Sequence, residues 1–374
     1  MARPRDFASF RRIVVKVGTS SLAHKTGKLD LKRIGKLVGE LADVHRQGKE
    51  VLLVTSGAIS AGMERLGFKT RPKTIPEKQA CAAVGQGLLL QKYEKLFTAY
   101  GITVGQVLLT RDDFSDRRRF LNASNALLTL LRYRVLPIIN ENDTVAVDEI
   151  RFGDNDTLSA LVSNLVDAEM LLVLSDVGGL YTSDPRRDPD ACLISEVEQV
   201  TPELEKLAGG CGSLVGTGGM LTKLQAAQIV GRSGAVMVIA AAGEENIVQR
   251  VLAGEEVGTV FWPTERLGGR KRWILFGATV QGRIFVDAGA ARALVEGGKS
   301  LLPSGVVRVE GDFEAGHPVS IIDPGGREIA RGLVNYSAAE VDQIKGVKSA
   351  RIAQIIGTQP YAEVVHRNNL VLQN

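Results

Sequence analysis

Along the first 265 residues, short runs that are apolar at nearly every position alternate with longer stretches that are apolar on one face only. The short runs lie in RIVVKVGTSS, EVLLVTSGA, ITVGQVLL, VLPIIN, MLLVLSD and AVMVIAA. A strand that is apolar on both sides has to be covered on both sides, and a sheet layered between helices does this. The intervening stretches supply those helices. LDLKRIGKLVGELADVHRQG places Leu31, Ile34, Leu37, Val38 and Leu41 on one helical face and stops at Gly48. The expected fold is therefore α/β, a mainly parallel sheet with helices on both faces. In such sheets ligands gather at the carboxyl ends of the strands.

The texture changes after WPTERLGGRKRW. From about residue 273 the chain reads as short alternating strands, such as GVVRVEG, PVSIID and EIARGLVNY, broken by glycine and proline turns. Residues 1–265 are expected to form the α/β domain and 266–272 a Gly- and Arg-rich linker. Residues 273–374 should form a small β-rich barrel with one or two short helices. Neither an internal repeat nor a low-complexity stretch interrupts this plan.

A length of 374 residues suits two domains. The apolar share of 44% and the charged share of 24% are those of a globular chain, and a net charge of +4 over that length marks neither a membrane surface nor a general nucleic-acid binder. Cys81, Cys192 and Cys211 are far apart and odd in number, which gives neither a disulfide framework nor a zinc signature. His24, His45, His317 and His366 are equally scattered, so no metal ligands are assigned. MARPRDFASFRR lacks the apolar core of a signal peptide, and no apolar run reaches the roughly 18 residues of a membrane span. A cytoplasmic location is expected.

Four segments at the expected strand ends carry chemistry. Lys16 stands among valines in a central strand, where an ammonium group is costly unless it is paired or reaches a ligand. Gly18 and Thr19 offer backbone N–H groups beside it. Ser56, in VTSGAIS, has two roles open to it, cap of the following helix or ligand contact. NENDTVAVDEIRFGDNDTLSALVSNLVDA is the densest polar region, with Asn140, Asn142, Asp143, Asp154, Asn155 and Asp156 flanking a loop. The helix beyond it carries Leu158, Leu161, Val162, Leu165 and Val166 on one face. One of Asp154, Asn155 and Asp156 should cap that helix, and the surplus polarity suits a polar, partly cationic small molecule. LSDVGGLYTSDPRRDP follows another strand and reads as a ligand-contacting or surface loop.

In VGTGGMLTKLQAA, Gly216, Gly218 and Gly219 run into a helix that bears Lys223. A glycine loop entering a helix N-terminus is a ready anion site, although a plain tight turn reads equally well. The pattern is neither GxxxxGK[ST] nor GxGxxG. DRRRF, residues 116–120, is most simply a solvated helix face, with a subunit contact as the alternative.

Taken in order and at their spacing, VVKVGTSS, VTSGAISAG, INENDTV, FGDNDTLSA, LSDVGGLYTSDPR and GTGGMLTKLQAA closely resemble the amino acid kinase family. GRIFVDAGAARALVEGGKSLLPSGVVRVEG resembles the PUA domain that many bacterial members append. The resemblance points to members that phosphorylate the γ-carboxylate of L-glutamate with ATP and Mg²⁺, the first step of proline synthesis. It implies that Lys16 and Lys223 contact the phosphates and that Asp156 holds the two lysines. Ser56, Asp143 and Asn155 would then bind glutamate, with Asp143 facing its ammonium group. Ser175 and Asp176, with Thr217, Gly218, Gly219, Met220, Leu221, Thr222 and Lys223, would line the ATP site. It also implies a homo-oligomer, dimer or tetramer, and proline as feedback inhibitor, for which FKTRPKTIPEKQA is the candidate segment. A member acting on aspartate or N-acetylglutamate is the alternative. RNA binding through the PUA-like tail is a further class, disfavoured by the 5% aromatic content and the absence of a strong basic patch.

Overall fold

The computed structural model describes residues 3–24, 28–145, 155–209, 219–264, 266–358 and 361–373. The chain forms two compact units. One comprises Met1–Phe114 and Arg118–Arg266, the other Ser115–Arg117 and Leu267–Asn374.

The first unit is built on β1 (Arg12–Val17), β2 (Glu50–Val54), β3 (Val104–Leu109), β4 (Leu136–Glu141) and β5 (Met170–Ser175). A small hairpin of β6 (Leu180–Tyr181) and β7 (Leu193–Ile194) follows, then β8 (Glu196–Val197), β9 (Val236–Ala241) and β10 (Thr259–Phe261). The main sheet has the order β3-β4-β2-β1-β5-β9-β10-β8. Its neighbours are parallel except β9 and β10, which are antiparallel. Chain order departs to one side of β1 through β2 and to the other through β5, so the crevice of this sheet opens at the carboxyl ends of these strands.

Burial follows the sequence pattern with two informative departures. β2, β4 and β5 are buried at every position, as a sheet covered on both faces requires. β3 is half-exposed or exposed up to Leu109, its one buried position, because it is an edge strand, although its apolar run resembles the others. In the helix Leu31–Arg46 the residues Ile34, Leu37, Val38 and Leu41 are buried, whereas Leu31 is 55% exposed. Leu31 is the first helical residue, next to the cap Asp30, whose carboxylate accepts from the Lys32 and Arg33 N–H groups. The helix Asn155–Leu165 buries Leu158, Leu161, Val162 and Leu165, with Val166 buried just beyond it.

One helix pair governs the position of a site residue. The helix Ala58–Leu66 starts at Gly57, whose φ of 104° is left-handed. It crosses the helix Ile75–Thr98, which opens on a Thr74–Glu77 capping box. A Cβ on Gly62 would lie 1.8 Å from the Cys81 carbonyl oxygen, and one on Gly85 would lie 1.7 Å from that of Ala58. Backbone thus packs on backbone at this crossing, which only glycine allows.

The second unit is a five-stranded sheet, β12-β11-β13-β14-β15, from β11 (Gly282–Val286), β12 (Val306–Gly311), β13 (Pro318–Ile322), β14 (Glu328–Val334) and β15 (Val365–Leu372). The short helices Ala288–Val295, Ala338–Ile344 and Ile352–Ile356 accompany it. Its own core includes Ile284, Val319, Ile321, Val341, Ile344 and Ile352. Arg117, in the segment read as a solvated face, lies over the Trp273 ring at 5.3 Å within this unit.

Candidate active site

Lys16 occupies β1, level with Val54 of β2 and Val173 of β5. Flanking strands on both sides leave it 7% exposed, so its ammonium needs a partner. Asp156 supplies one, with Oδ1 at 2.5 Å from Lys16 Nζ. Lys223, also 7% exposed, reaches the other carboxylate oxygen: its Nζ donates to Asp156 Oδ2 at 3.1 Å. Thr222 Oγ1 lies 3.0 Å from the same oxygen. Asp156 itself is fully buried. Burial pushes its carboxyl up, but the Lys16 and Lys223 ammonium groups outweigh that and hold it below the usual carboxylate range. One carboxylate between two ammonium groups leaves one positive charge in excess at the strand ends.

Lys223 belongs to the helix Met220–Gly231, whose N-cap is Gly219 with no side-chain cap. The uncapped first-turn N–H groups and the helix dipole add positive potential beside the lysine. Beyond it opens a cleft lined among others by Ser175, Asp176, Gly179, Tyr181, Gly219, Met220 and Lys223. Arg186 Nη2 donates to Asp176 Oδ2 at 2.7 Å on its wall. The wall is also tied to the sheet. The hydroxyl of buried Thr259 accepts from Leu180 N–H and donates to the Ile194 carbonyl, at 2.8 and 2.7 Å. Of the residues expected at a nucleotide, Ser175, Asp176, Gly219, Met220 and Lys223 line this cleft. Thr222 turns to Asp156, Leu221 is exposed, and Thr217 and Gly218 lie outside the described residues.

On the other side of Asp156, the groups that meet Asn155 are neutral. Asn155 Nδ2 faces the Thr55 carbonyl at 2.6 Å, Ser56 Oγ at 2.9 Å and Asn140 Oδ1 at 2.9 Å. Ser56 therefore does not cap the next helix, whose N-cap is Gly57. The Asn155 amide turns to Thr55, Ser56 and Asn140, and the Asp156 carboxylate to the two lysines; Asp154 lies outside the described residues. Asp143 is half-buried in the turn directly after β4. Thr55 Oγ1 bonds the buried Tyr93 hydroxyl at 2.8 Å, and burial pushes that phenol up. Asn140, Gln86 and Thr55 complete this wall and were not among the expected site residues. The Asn140 signal was present in the polar cluster. Gln86 offered only a polar side chain in step with Ala82, Leu89, Tyr93 and Phe97 on a buried helical stripe.

Among the described residues no three His, Cys, Asp or Glu side chains are grouped to hold a metal ion. Asp156 already faces ammonium groups on both oxygens. So paired, Asp156 does not fit the role of a magnesium ligand. Likewise, no described helix is long and apolar enough to cross a membrane.

Residues 11–241 match the Amino acid kinase family and residues 282–356 the PUA domain. A protein of Moorella thermoacetica named glutamate 5-kinase is 57% identical over 363 residues, covering 97% of this chain and 96% of its own length. One of Caldanaerobacter subterraneus with the same name is 55% identical over 362 residues, covering 96% and 97%. Among solved structures, carbamate kinase from Giardia lamblia bound to AMP-PNP superposes with a TM-score of 0.50 at 18% identity. It covers 69% of this chain and all of that one, a likeness of fold alone. With a match spanning most of the first unit and relatives similar over nearly the whole length, the chain belongs to the amino acid kinase family.

Proposed function

We propose that the chain transfers the γ-phosphoryl group of ATP to the γ-carboxylate of L-glutamate, giving glutamyl 5-phosphate for proline synthesis. The observation that carries this reading is the placement of two lysines on one buried carboxylate, between a cleft and a neutral polar wall. The shared name of the relatives supports the choice of acceptor. ATP lies in the cleft against Ser175, Asp176 and residues 217–223. Glutamate meets Ser56, Asn155 and Asp143, the last taking its ammonium group. Mg²⁺ enters with the nucleotide.

The acceptor is a carboxylate, ionised at neutral pH, so the reaction needs no general base. Its oxygen attacks the γ-phosphorus while the bond from that phosphorus to the β,γ-bridging oxygen breaks. ADP departs with the electron pair and no proton moves. The obstacle is repulsion between two anions, and phosphoryl transfer depends on positioning and electrostatics rather than covalent chemistry. Lys16 and Lys223, fixed by Asp156, present positive charge where the transferring group gathers negative charge, and being already desolvated and oriented they need little reorganisation.

An assay of ADP release with L-glutamate, L-aspartate or N-acetylglutamate as acceptor tests the reading. Turnover with L-glutamate supports it; turnover of N-acetylglutamate with none of L-glutamate overturns it, because an acetylated amine has no use for Asp143. Inhibition by proline, homo-oligomerisation and a cytoplasmic location belong to the same reading. Adding proline to the assay, measuring the mass in solution and fractionating cells test them in turn. We also place the kinase domain in residues 1–265 and the appended domain in 273–374, joined by 266–272. A chain ending at residue 265 should unfold cooperatively and keep measurable activity; a chain without cooperative unfolding refutes the boundary.

A further inference from the structure

The neutral wall of the site is a chain of side-chain amides, and the backbone decides which way each of them points. Gln86 Nε2 donates to the Glu141 carbonyl at 3.1 Å. A carbonyl only accepts, so the other end of this amide, Oε1, has to face Asn140, whose Nδ2 donates to it at 3.3 Å. Asn140 is pinned a second time. Its Oδ1 accepts from the Glu141 N–H at 3.0 Å, and that group only donates. The same Oδ1 faces Asn155 Nδ2, which also faces the Thr55 carbonyl. Every amide in the series Gln86, Asn140, Asn155 therefore has one orientation only, and reversing any of them sets two donors or two acceptors against each other.

The consequence falls on the two residues at the open end. Asn155 spends its N–H groups inside the protein, so the function it has left is the Oδ1 acceptor. Ser56 Oγ accepts from Asn155. Among the described residues its own proton is given to none, so it remains to be donated. A hydroxyl that donates beside an oxygen that accepts suits a molecule carrying both a carboxylate and an ammonium group.

We propose that Gln86 is a positioning residue that holds Asn140, and through it Asn155 and Ser56, in place at the acceptor subsite, where the orientations set by the backbone leave Ser56 a proton to offer and Asn155 a lone pair. The proposal rests on the reading that Ser56 and Asn155 meet the amino-acid acceptor. Gln86 touches none of the groups at the open end, and it is 7% exposed. Its seat is fixed by the adjacent Gly85, which lets the two helices cross with backbone on backbone. Without Gln86 the Glu141 carbonyl and the Asn140 amide each lose a buried partner, and Asn140, still oriented by the Glu141 N–H, is no longer held at its other end.

The test is steady-state kinetics of the full chain with ATP and L-glutamate, comparing Gln86→Leu, Ser56→Ala and the double variant. Gln86→Leu should raise the KM for glutamate by about five- to a hundredfold and move the KM for ATP by less than about twofold. The double variant should fall short of the product of the two single factors, because both changes act on one network. An unchanged glutamate KM, equal rises in both KM values, or simple multiplication in the double variant overturns the proposal. Should Gln86→Leu fail to fold, Gln86→Met carries the same test with a more adaptable side chain. Ser56→Ala separates the two levels of inference. If it leaves the glutamate KM unchanged, the acceptor reading itself is wrong; if it raises that KM while Gln86→Leu is silent, the relay alone is wrong.

Discussion

Asn155 and Asp156 are neighbours in the chain, yet one is held by a carbonyl, a hydroxyl and an amide, the other by two ammonium groups. The neutral side gains direction: each dipole has one permitted orientation because backbone groups anchor the series at both ends. The charged side gains potential, since one carboxylate fixes two cations in place and leaves a net positive charge. Direction suits recognition of an acceptor with several polar groups, and potential suits a group that becomes more negative as it reacts. A single turn of helix delivers both.

The sharpest way to break this contrast is Asp156→Ala. It leaves Lys16 and Lys223 buried with no counter-ion, so it should destabilise the fold by about 3–5 kcal/mol and abolish turnover. Denaturant unfolding and the ADP-release assay together check both effects; a stability loss near zero would mean that the lysines find other partners.

Lys223→Ala comes next. It removes a cation but leaves a balanced Lys16–Asp156 pair, so its stability cost should be well below that of Asp156→Ala. Its kcat should still fall by about a hundredfold or more, the scale of losing one preorganised charge. Unaltered turnover refutes the phosphate-contact role. Losing one lysine should thus harm chemistry more than folding, whereas losing the carboxylate harms both.

The smallest effect is expected at Glu40, a buried carboxyl away from the site that accepts from the Val248 N–H at 2.9 Å. There burial outweighs the hydrogen bond and the charge of Lys36, and the carboxyl is pushed up. The signs of the two acids are opposite. Asp156, held down in the folded state, stabilises above the ordinary carboxylate range, and that contribution is lost as pH falls through its folded value. Glu40, held up, stabilises below that range and loses the contribution as pH rises through its folded value. Glu40→Gln should therefore gain on the parent in unfolding free energy as pH rises from acid to neutral. A constant difference across that range contradicts the assignment.

The charged half was more legible in the sequence than the neutral half, for a physical reason. A lysine inside a valine run violates a local expectation, and a glycine loop before a helix is visible in a short window, so Lys16 and Lys223 declared themselves. The sheet was legible on the same terms, because strands covered on both faces leave continuous apolar runs. Edge status is a tertiary property, and β3 shows that an apolar run does not disclose it. Ser56 could not be assigned because its choice between helix and ligand hangs on the conformation of Gly57 next to it. Gln86 was the least legible residue. Its partners lie more than fifty positions away, and what brings it to them is the helix crossing at Gly62 and Gly85.

That crossing shifts where sensitivity to substitution should be found. A methyl group at Gly62 or Gly85 would start inside the radius of a facing carbonyl, so the helices would have to part by about an ångström or more. Displacements of that size are enough to spoil a reacting geometry from a distance. In a complete substitution scan, these two glycines should score like members of the catalytic machinery although they meet neither nucleotide nor amino acid. On that outcome the distance between two backbones is part of the enzyme's specificity.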